Sequence, residues 1–511
     1  MDALLGSCSL AELRQRTGFK WATHPADVLP AFVAEMDFDL APAIKTAVIR
    51  AISAGDCGYA HKGTLGEAYA SFSASRLGWD VNPDYVYPIP DVMTGLAEVI
   101  AAITPPGSGI VINPPVYPPF WFRFGFSGRR IIEAPLARDA VGRYDLDPAA
   151  IDAALSQPGA AAYLLCSPHN PTGNVWSAGQ LAMVADLCQQ HGAALVVDEI
   201  HAPLVLPGAQ YVPFGSIGHE MTERAFVFTS ATKGWNIPGL KCGIAIAGSP
   251  TGSALLAERW EALLAAQLGV LASVAAFTGG LAWLDAAVSQ LAENRGLLAG
   301  LLAEQLPAVT YAPPQASFLA WLDCRALELG DDPAAVFLDK GRVAVSRGPD
   351  FGPQGHGFVR LNIGTSPELI TEAVRRMAGR ARPLTLAQQV AGDLQLPQVL
   401  VDLLHHMQQG MALAGELQLV RPCGRMATTG AAAGLRRRQI CPEPAPGLAG
   451  GGGQVRHRAS GPEFGGTVAF HHAARDHVPA PVLHHPQAVP EDGIGRVSAG
   501  QVRPNIGELI T

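Results

Sequence analysis

The sequence predicts an α/β protein built on a mostly parallel sheet with helices on both faces, and three observations carry that expectation. From Leu96 to Ala247, short β-rich runs alternate with helical patterns. The runs are apolar throughout rather than alternating, as strands covered on both faces are. One intervening stretch is punctuated as a helix at both ends: Ser177 with Gln180 three residues later forms a capping box, and Gly192 stands at the far end.

Taken in order, Ile110–Asn113, Ala161–Cys166, Ala194–Asp198, Ala225–Thr229 and Gly243–Ala247 read as strands. Strand–helix–strand repetition implies parallel neighbours joined by crossovers, and in such sheets ligands collect at the carboxyl ends of strands. Ala262–Leu284 is uncharged and long enough to span a bilayer. It is rich in Ala and Gly, contains Gln267, Ser273 and Thr278, and lacks basic flanks, so a buried helix at a domain junction or subunit interface is expected. After Pro383 the composition shifts: the last 128 residues contain no Lys, Trp or Tyr, yet hold eight of the fifteen His. Few large side chains remain there to offset the entropy of ordering, so a disordered tail dispensable for catalysis is expected. Its His405–His406, His471–His472 and His484–His485 pairs lack fixed ligand spacing, and no metal is expected.

Composition narrows the function. Hydrophobic residues make up 48% of the 511 and charged residues 16%, enough apolar side chains to bury a large core. A net charge of −8 argues against nucleic acid or anionic lipid as the main partner. The eight cysteines are widely spaced without a C-x-x-C pair, which fits free, mostly buried thiols in a reducing cytoplasm. The opening MDALLGSCSLAELRQRTGFK shows no basic region followed by a long apolar run, so a secretory signal is not expected.

Three strand ends carry chemistry. Ser230–Lys241 reads SATKGWNIPGLK and follows an apolar strand. A lysine there, among small and hydroxyl residues, can be desolvated, have a lowered pKa and form a Schiff base; the alternative is a surface lysine in a loop. DEIH, Asp198–His201, ends the run LVVD. A carboxylate at a buried strand end needs a partner, and a protonated pyridine nitrogen is one; otherwise Asp198 caps the following turn. SPHNPTG, Ser167–Gly173, forces a tight turn that can present the Asn170 amide.

These segments, in this order and spacing, resemble the fold-type I pyridoxal-5′-phosphate (PLP) enzymes of the class I/II aminotransferase family. VLPAFVAEMDF (Val28–Phe38), GYAHKG from Gly58, PPVYPPF (Pro114–Phe120) and GLKCG after the lysine look like the MalY/PatB branch, whose members are cystathionine β-lyases and related carbon–sulfur lyases. The resemblance spans about residues 10–383. It implies a PLP-binding large domain over residues 49–288 and a small domain from residues 1–48 and 289–383, with 384–511 as a tail.

The resemblance also implies roles. Lys233 forms the Schiff base and carries the Cα proton. Asp198 pairs with the pyridine nitrogen, Asn170 with the phenolate O3′, and Tyr117 stacks on the ring. Val92 and Met93 offer amides to the phosphate, with Ser230 and Lys241 beside them; Lys241 stands where many relatives carry an arginine. Tyr59 reaches the phosphate of a neighbouring subunit, which requires a homodimer. Arg360, in FVRLNIG, holds the substrate carboxylate as a fork. His201 either contacts the cofactor or packs at the strand end. Two features depart from the pattern: PPQASFLAWLD (Pro313–Asp323) lacks the usual acidic-glycine step, and Trp235 makes KGW bulky. The reaction implied is β-cleavage of cystathionine or a cysteine S-conjugate; transamination is the alternative. A non-catalytic or moonlighting regulator on the same fold is a third reading, disfavoured by the presence of Lys233, Asp198 and Arg360.

Overall fold

The structure, a computed structural model, describes residues 2–6, 8–259 and 264–381. The tail expected to be disordered, with its histidine pairs, lies outside the described residues.

Seven strands form the central sheet: β1 (Val86–Ile89), β2 (Gly109–Ile112), β3 (Arg130–Glu133), β4 (Ala160–Cys166), β5 (Ala194–Asp198), β6 (Phe226–Thr229) and β7 (Gly243–Ala247). Their order is β1-β7-β6-β5-β4-β2-β3. The unbroken apolar runs are explained by two separate cores. Val111, Tyr163, Leu165, Leu195 and Val197 enter one, while Ile110, Ile112, Leu164, Val196 and Phe228 enter the other. Helix α1 (Val92–Ile103) covers the second core with Val92, Leu96, Val99, Ile100 and Ile103. Helix α2 (Ala178–His191) covers the first with Leu181, Val184, Ala185 and Cys188. It starts at the expected capping box and stops at Gly192, whose φ of 64° closes a left-handed cap.

The sheet is mostly parallel as expected, with one exception: β7 runs antiparallel to both β6 and β1. A parallel return needs a crossover long enough to recross the sheet. Residues 230–242 are instead spent on a one-turn helix, Ala231–Gly234, and a 3₁₀ turn, Pro238–Leu240, so the chain re-enters from the edge it left. As a result the start of β7 lies on the same sheet edge as the ends of β4, β5 and β6.

The uncharged stretch near residue 270 is not one helix. Helix α3 (Gln267–Gly279) and helix α4 (Leu281–Gln305) meet at Gly280 with a bend of 80°. The Gly280 carbonyl accepts from Trp235 Nε1 at 2.8 Å, and a Cβ at this glycine would lie 2.5 Å from that nitrogen. No single helix among the described residues is long and apolar enough to cross a membrane.

A second sheet comprises β8 (Thr310–Tyr311), β9 (Leu319–Asp323), β10 (Ser346–Arg347) and β11 (Phe358–Asn362), ordered β8-β9-β11-β10 and antiparallel. Helix α5 (Pro367–Ala381) closes it with buried Ile370, Val374 and Met377. Near the start of the chain, Leu29–Pro30 pairs in parallel with Val343–Ala344. Residues 31–37 follow this separate two-stranded pairing, and Ala34 lines the cavity described below.

Candidate active site

The ends of β1, β4, β5 and β6 enclose a cavity of about 320 Å³ lined by Val92, Met93, Asn170, Asp198, Lys233 and Lys241, among others. Each side chain is placed by a local device. Ser230 caps the one-turn helix by accepting from Thr232 N at 3.0 Å and donates to the Cys242 carbonyl at 2.7 Å, tying β6 to β7. Trp235, the bulky departure after the lysine, is buried against Phe72 and Phe277. It therefore anchors the turn that carries Lys233. Lys233 Nζ donates to the Ala34 carbonyl at 2.9 Å. Burial, reinforced by the Arg360 charge, lowers its pKa to about 8.

Asp198 is 3% exposed. Its Oδ1 accepts from Ile200 N at 3.1 Å, and burial raises its pKa to about 7. Arg360 rises from β11 opposite Ser346 and Trp321. Its Nη1 donates to Asn170 Oδ1, and its Nη2 to Ser346 Oγ and the Phe32 carbonyl, each at 3.0 Å. Its Nε is buried without a partner. The Phe351 ring lies 4.9 Å from the guanidinium carbon, and burial lowers the Arg360 pKa to about 10. Because a guanidinium only donates, Asn170 must turn Oδ1 towards it, which leaves the Asn170 Nδ2 group as a donor elsewhere.

The first two amides of α1, those of Val92 and Met93, have no intrahelical acceptor, as at any helix start. Thr94 N is already taken by Asp91 Oδ1 at 2.9 Å. Lys241 stands nearby in a left-handed conformation (φ 54°), with Nζ 2.9 Å from Asp91 Oδ2. Tyr117 lines the cavity and meets Phe120 edge-on at 5.8 Å. His201 also lines it, and burial lowers its pKa to about 3, so the imidazole is neutral. Its Nδ1 is 3.1 Å from Ser317 Oγ. Ser317 belongs to the other departure from the family pattern, PPQASF, and its φ of 76° is uncommon for a non-glycine residue.

The structure thus brings Lys233, Asp198, Asn170, Tyr117, Val92, Met93, Ser230, Lys241 and His201 to one cavity, with Arg360 joined to it through Asn170. Tyr59 stands apart: it is 92% exposed and does not line the cavity of its own chain.

Sequence reasoning missed the strap formed by residues 32–36. Phe32 O accepts from Arg360 and Ser346, Val33 O and Glu35 O from Asn362, Ala34 O from Lys233, and Met36 O from Asn236. Lys20 adds a donor to Glu35 O and a buried 2.8 Å ion pair with Asp37. These acceptors are main-chain groups, which no side-chain letter reveals. Glu199, also passed over, is fully buried with Oε1 accepting from Phe214 N at 2.7 Å, and burial raises its pKa to about 7.

Comparison with known proteins places this arrangement. The family model for aminotransferase class I and II matches residues 33–377. A Mycobacterium leprae protein is 44% identical over 399 residues, covering 74% of this chain and 98% of that protein. Cystathionine beta-lyase PatB of Bacillus subtilis is 34% identical over 69% of this chain and 92% of its own. The crystal structure of a Corynebacterium diphtheriae protein assigned as a PLP-dependent beta-cystathionase superposes with a TM-score of 0.69 at 34% identity, covering 74% of this chain and 99% of that one. The chain belongs to the aminotransferase class I and II family, in the branch that contains PatB.

Proposed function

We propose that this chain is a PLP-dependent carbon–sulfur β-lyase that cleaves L-cystathionine or a related cysteine S-conjugate to a thiol, pyruvate and ammonia. The observation that carries the reading is the convergence on one cavity of a lysine with a pKa near 8, a buried carboxylate and, through Asn170, a buried guanidinium. The choice of β-cleavage over transamination is supported by the likeness to PatB and to the C. diphtheriae protein.

The residues present fit the cofactor. Asp198 is a buried carboxylate that takes one amide hydrogen bond and feels Lys233 only through space, so a protonated ring nitrogen would complete it. The free amides of Val92 and Met93, with Ser230 and Lys241, suit a phosphate at a helix start. Lys233 would hold the aldehyde carbon, Asn170 Nδ2 would meet O3′, and Tyr117 and His201 would line the ring. Bound there, PLP supplies an electron sink for the substrate α-carbon. Arg360 holds the substrate carboxylate and so fixes which α-carbon substituent faces Lys233. The Lys233 amine, beside that α-carbon, would then take the Cα proton.

The reading extends to assembly. Tyr59 acts on the phosphate of a second subunit in a homodimer, a role consistent with its exposure here. Residues 49–288 form the cofactor domain, and residues 1–48 with 289–383 form the small domain that supplies Arg360. Free thiols at Cys8, Cys57, Cys166, Cys188, Cys242 and Cys324 fit a cytoplasmic location.

Borohydride reduction tests the site. The purified protein, loaded with PLP and reduced, should yield a tryptic peptide carrying the cofactor on Lys233, and Lys233→Ala should yield none. A reduced adduct on another lysine would overturn the assignment.

A further inference from the structure

We infer that Asp91 weakens the protein's hold on the cofactor phosphate and thereby sets how readily the cofactor exchanges. The inference rests on the phosphate cradle assigned above to Val92, Met93, Ser230 and Lys241.

Asp91 is the N-cap of α1 and lines the cavity together with Lys241. One carboxylate oxygen takes Thr94 N at 2.9 Å, and the other takes Lys241 Nζ at 2.9 Å. Among the cavity-lining residues, the cations are Lys233 and Lys241 and the anions are Asp91 and Asp198. Lys233 is assigned to the aldehyde carbon and Asp198 to the ring nitrogen. That leaves Lys241 and Asp91 at the phosphate end, whose formal charges cancel. A phosphate group bringing about −1.5 to −2 charges there meets no net cation. It is held by helix amides and hydroxyls, and it must compete with Asp91 for Lys241.

The negative charge is not needed for the fold. Asn caps a helix as well as Asp does. The Asp91 and Lys241 side chains are 36% and 60% exposed, and ion pairs so exposed add little stability. What the Asp91 charge does is repel a second anion placed at the same helix start. Two like charges a few ångströms apart, partly screened by water, are worth about a tenfold change in affinity. Lys241 has a left-handed backbone (φ 54°) at the end of the Pro238–Leu240 turn, and its amine meets Asp91 from there.

The test follows cofactor loss from the PLP-loaded enzyme into buffer containing an excess of a PLP-scavenging protein, read as decay of the visible absorbance. Asp91→Asn, which keeps the cap, should lengthen the half-time about tenfold, and high salt should narrow that difference. Lys241→Met should shorten the half-time, and adding Asp91→Asn to it should lengthen it again. Unfolding midpoints of the cofactor-free forms confirm that the variants fold alike. If Asp91→Asn loses cofactor as fast as the wild type or faster, Asp91 serves to hold Lys241 in place and the inference is wrong. If the wild type takes up no cofactor, the proposed site itself fails, a result distinguishable from the first.

Discussion

Replacing Arg360 tests how substrate is gripped. Three of its hydrogen bonds go to the protein: Nη1 to Asn170, and Nη2 to Phe32 O and Ser346. Nε has no partner, and the second Nη1 hydrogen is uncommitted. A carboxylate fork needs N–H groups on one side of the guanidinium, so the substrate takes one of these and displaces a present protein acceptor for its second bond. At about 1.5 kcal/mol for each charge-assisted bond, loss of both costs roughly 3 kcal/mol, or about a hundredfold in kcat/KM. Arg360→Met should therefore lower kcat/KM for cystathionine by about two orders of magnitude, mainly through KM. Arg360→Lys, which keeps the charge but not the planar fork, should fall between. The assay is steady-state pyruvate release, run beside a substrate analogue that lacks the α-carboxylate. The wild type should discriminate strongly against the analogue, and Arg360→Met should barely distinguish the two. Unchanged KM with discrimination intact would mean that the carboxylate is held elsewhere.

Two further outcomes follow from the same geometry. Asp198 has its pKa raised to about 7 in the fold, so between the ordinary carboxylate range and pH 7 the folded protein binds more protons than the unfolded chain. In that window its burial destabilises the cofactor-free protein increasingly as pH rises, by up to roughly 2–4 kcal/mol. Asp198→Asn should accordingly gain urea resistance over the wild type on going from pH 5 to pH 8; parallel curves would show that Asp198 is not the buried acid described. Mixed dimers of Tyr59→Phe with Lys233→Ala should regain activity that neither homodimer has, because one of the two sites would then hold an intact Lys233 and a partner's intact Tyr59. No recovery on mixing would place Tyr59 at its own chain's site or at none.

Much of the site was legible because its groups sit at strand ends, where a single polar letter interrupts an apolar run. Asp198 closes LVVD, Asn170 follows YLLC through a proline turn, and Lys233 follows FVFT. Arg360 was legible only through its motif, since an arginine on a strand is more often a surface ion partner; its burial depends on Phe351 and the strap, which are remote in sequence. The direction of β7 was hidden because apolar runs look alike in either sense, and only the length spent on the Lys233 turn decides it. The break at Gly280 was equally hidden. An uncharged run reads as continuous until the Trp235 indole is known to occupy the space of a Cβ. Asp91 gave no signal of its own, because an Asp before a helix reads as an ordinary N-cap.

In the proposed reaction, removal of the Cα proton by Lys233 is followed by loss of a β-thiolate. Incubating the PLP-loaded protein with L-cystathionine and no keto acid tests it most directly. The expected result is stoichiometric thiol, pyruvate and ammonia at a rate that an added keto acid does not raise. Pyruvate absent without a keto acid, with amino-group transfer appearing once one is added, would contradict it and make the protein an aminotransferase.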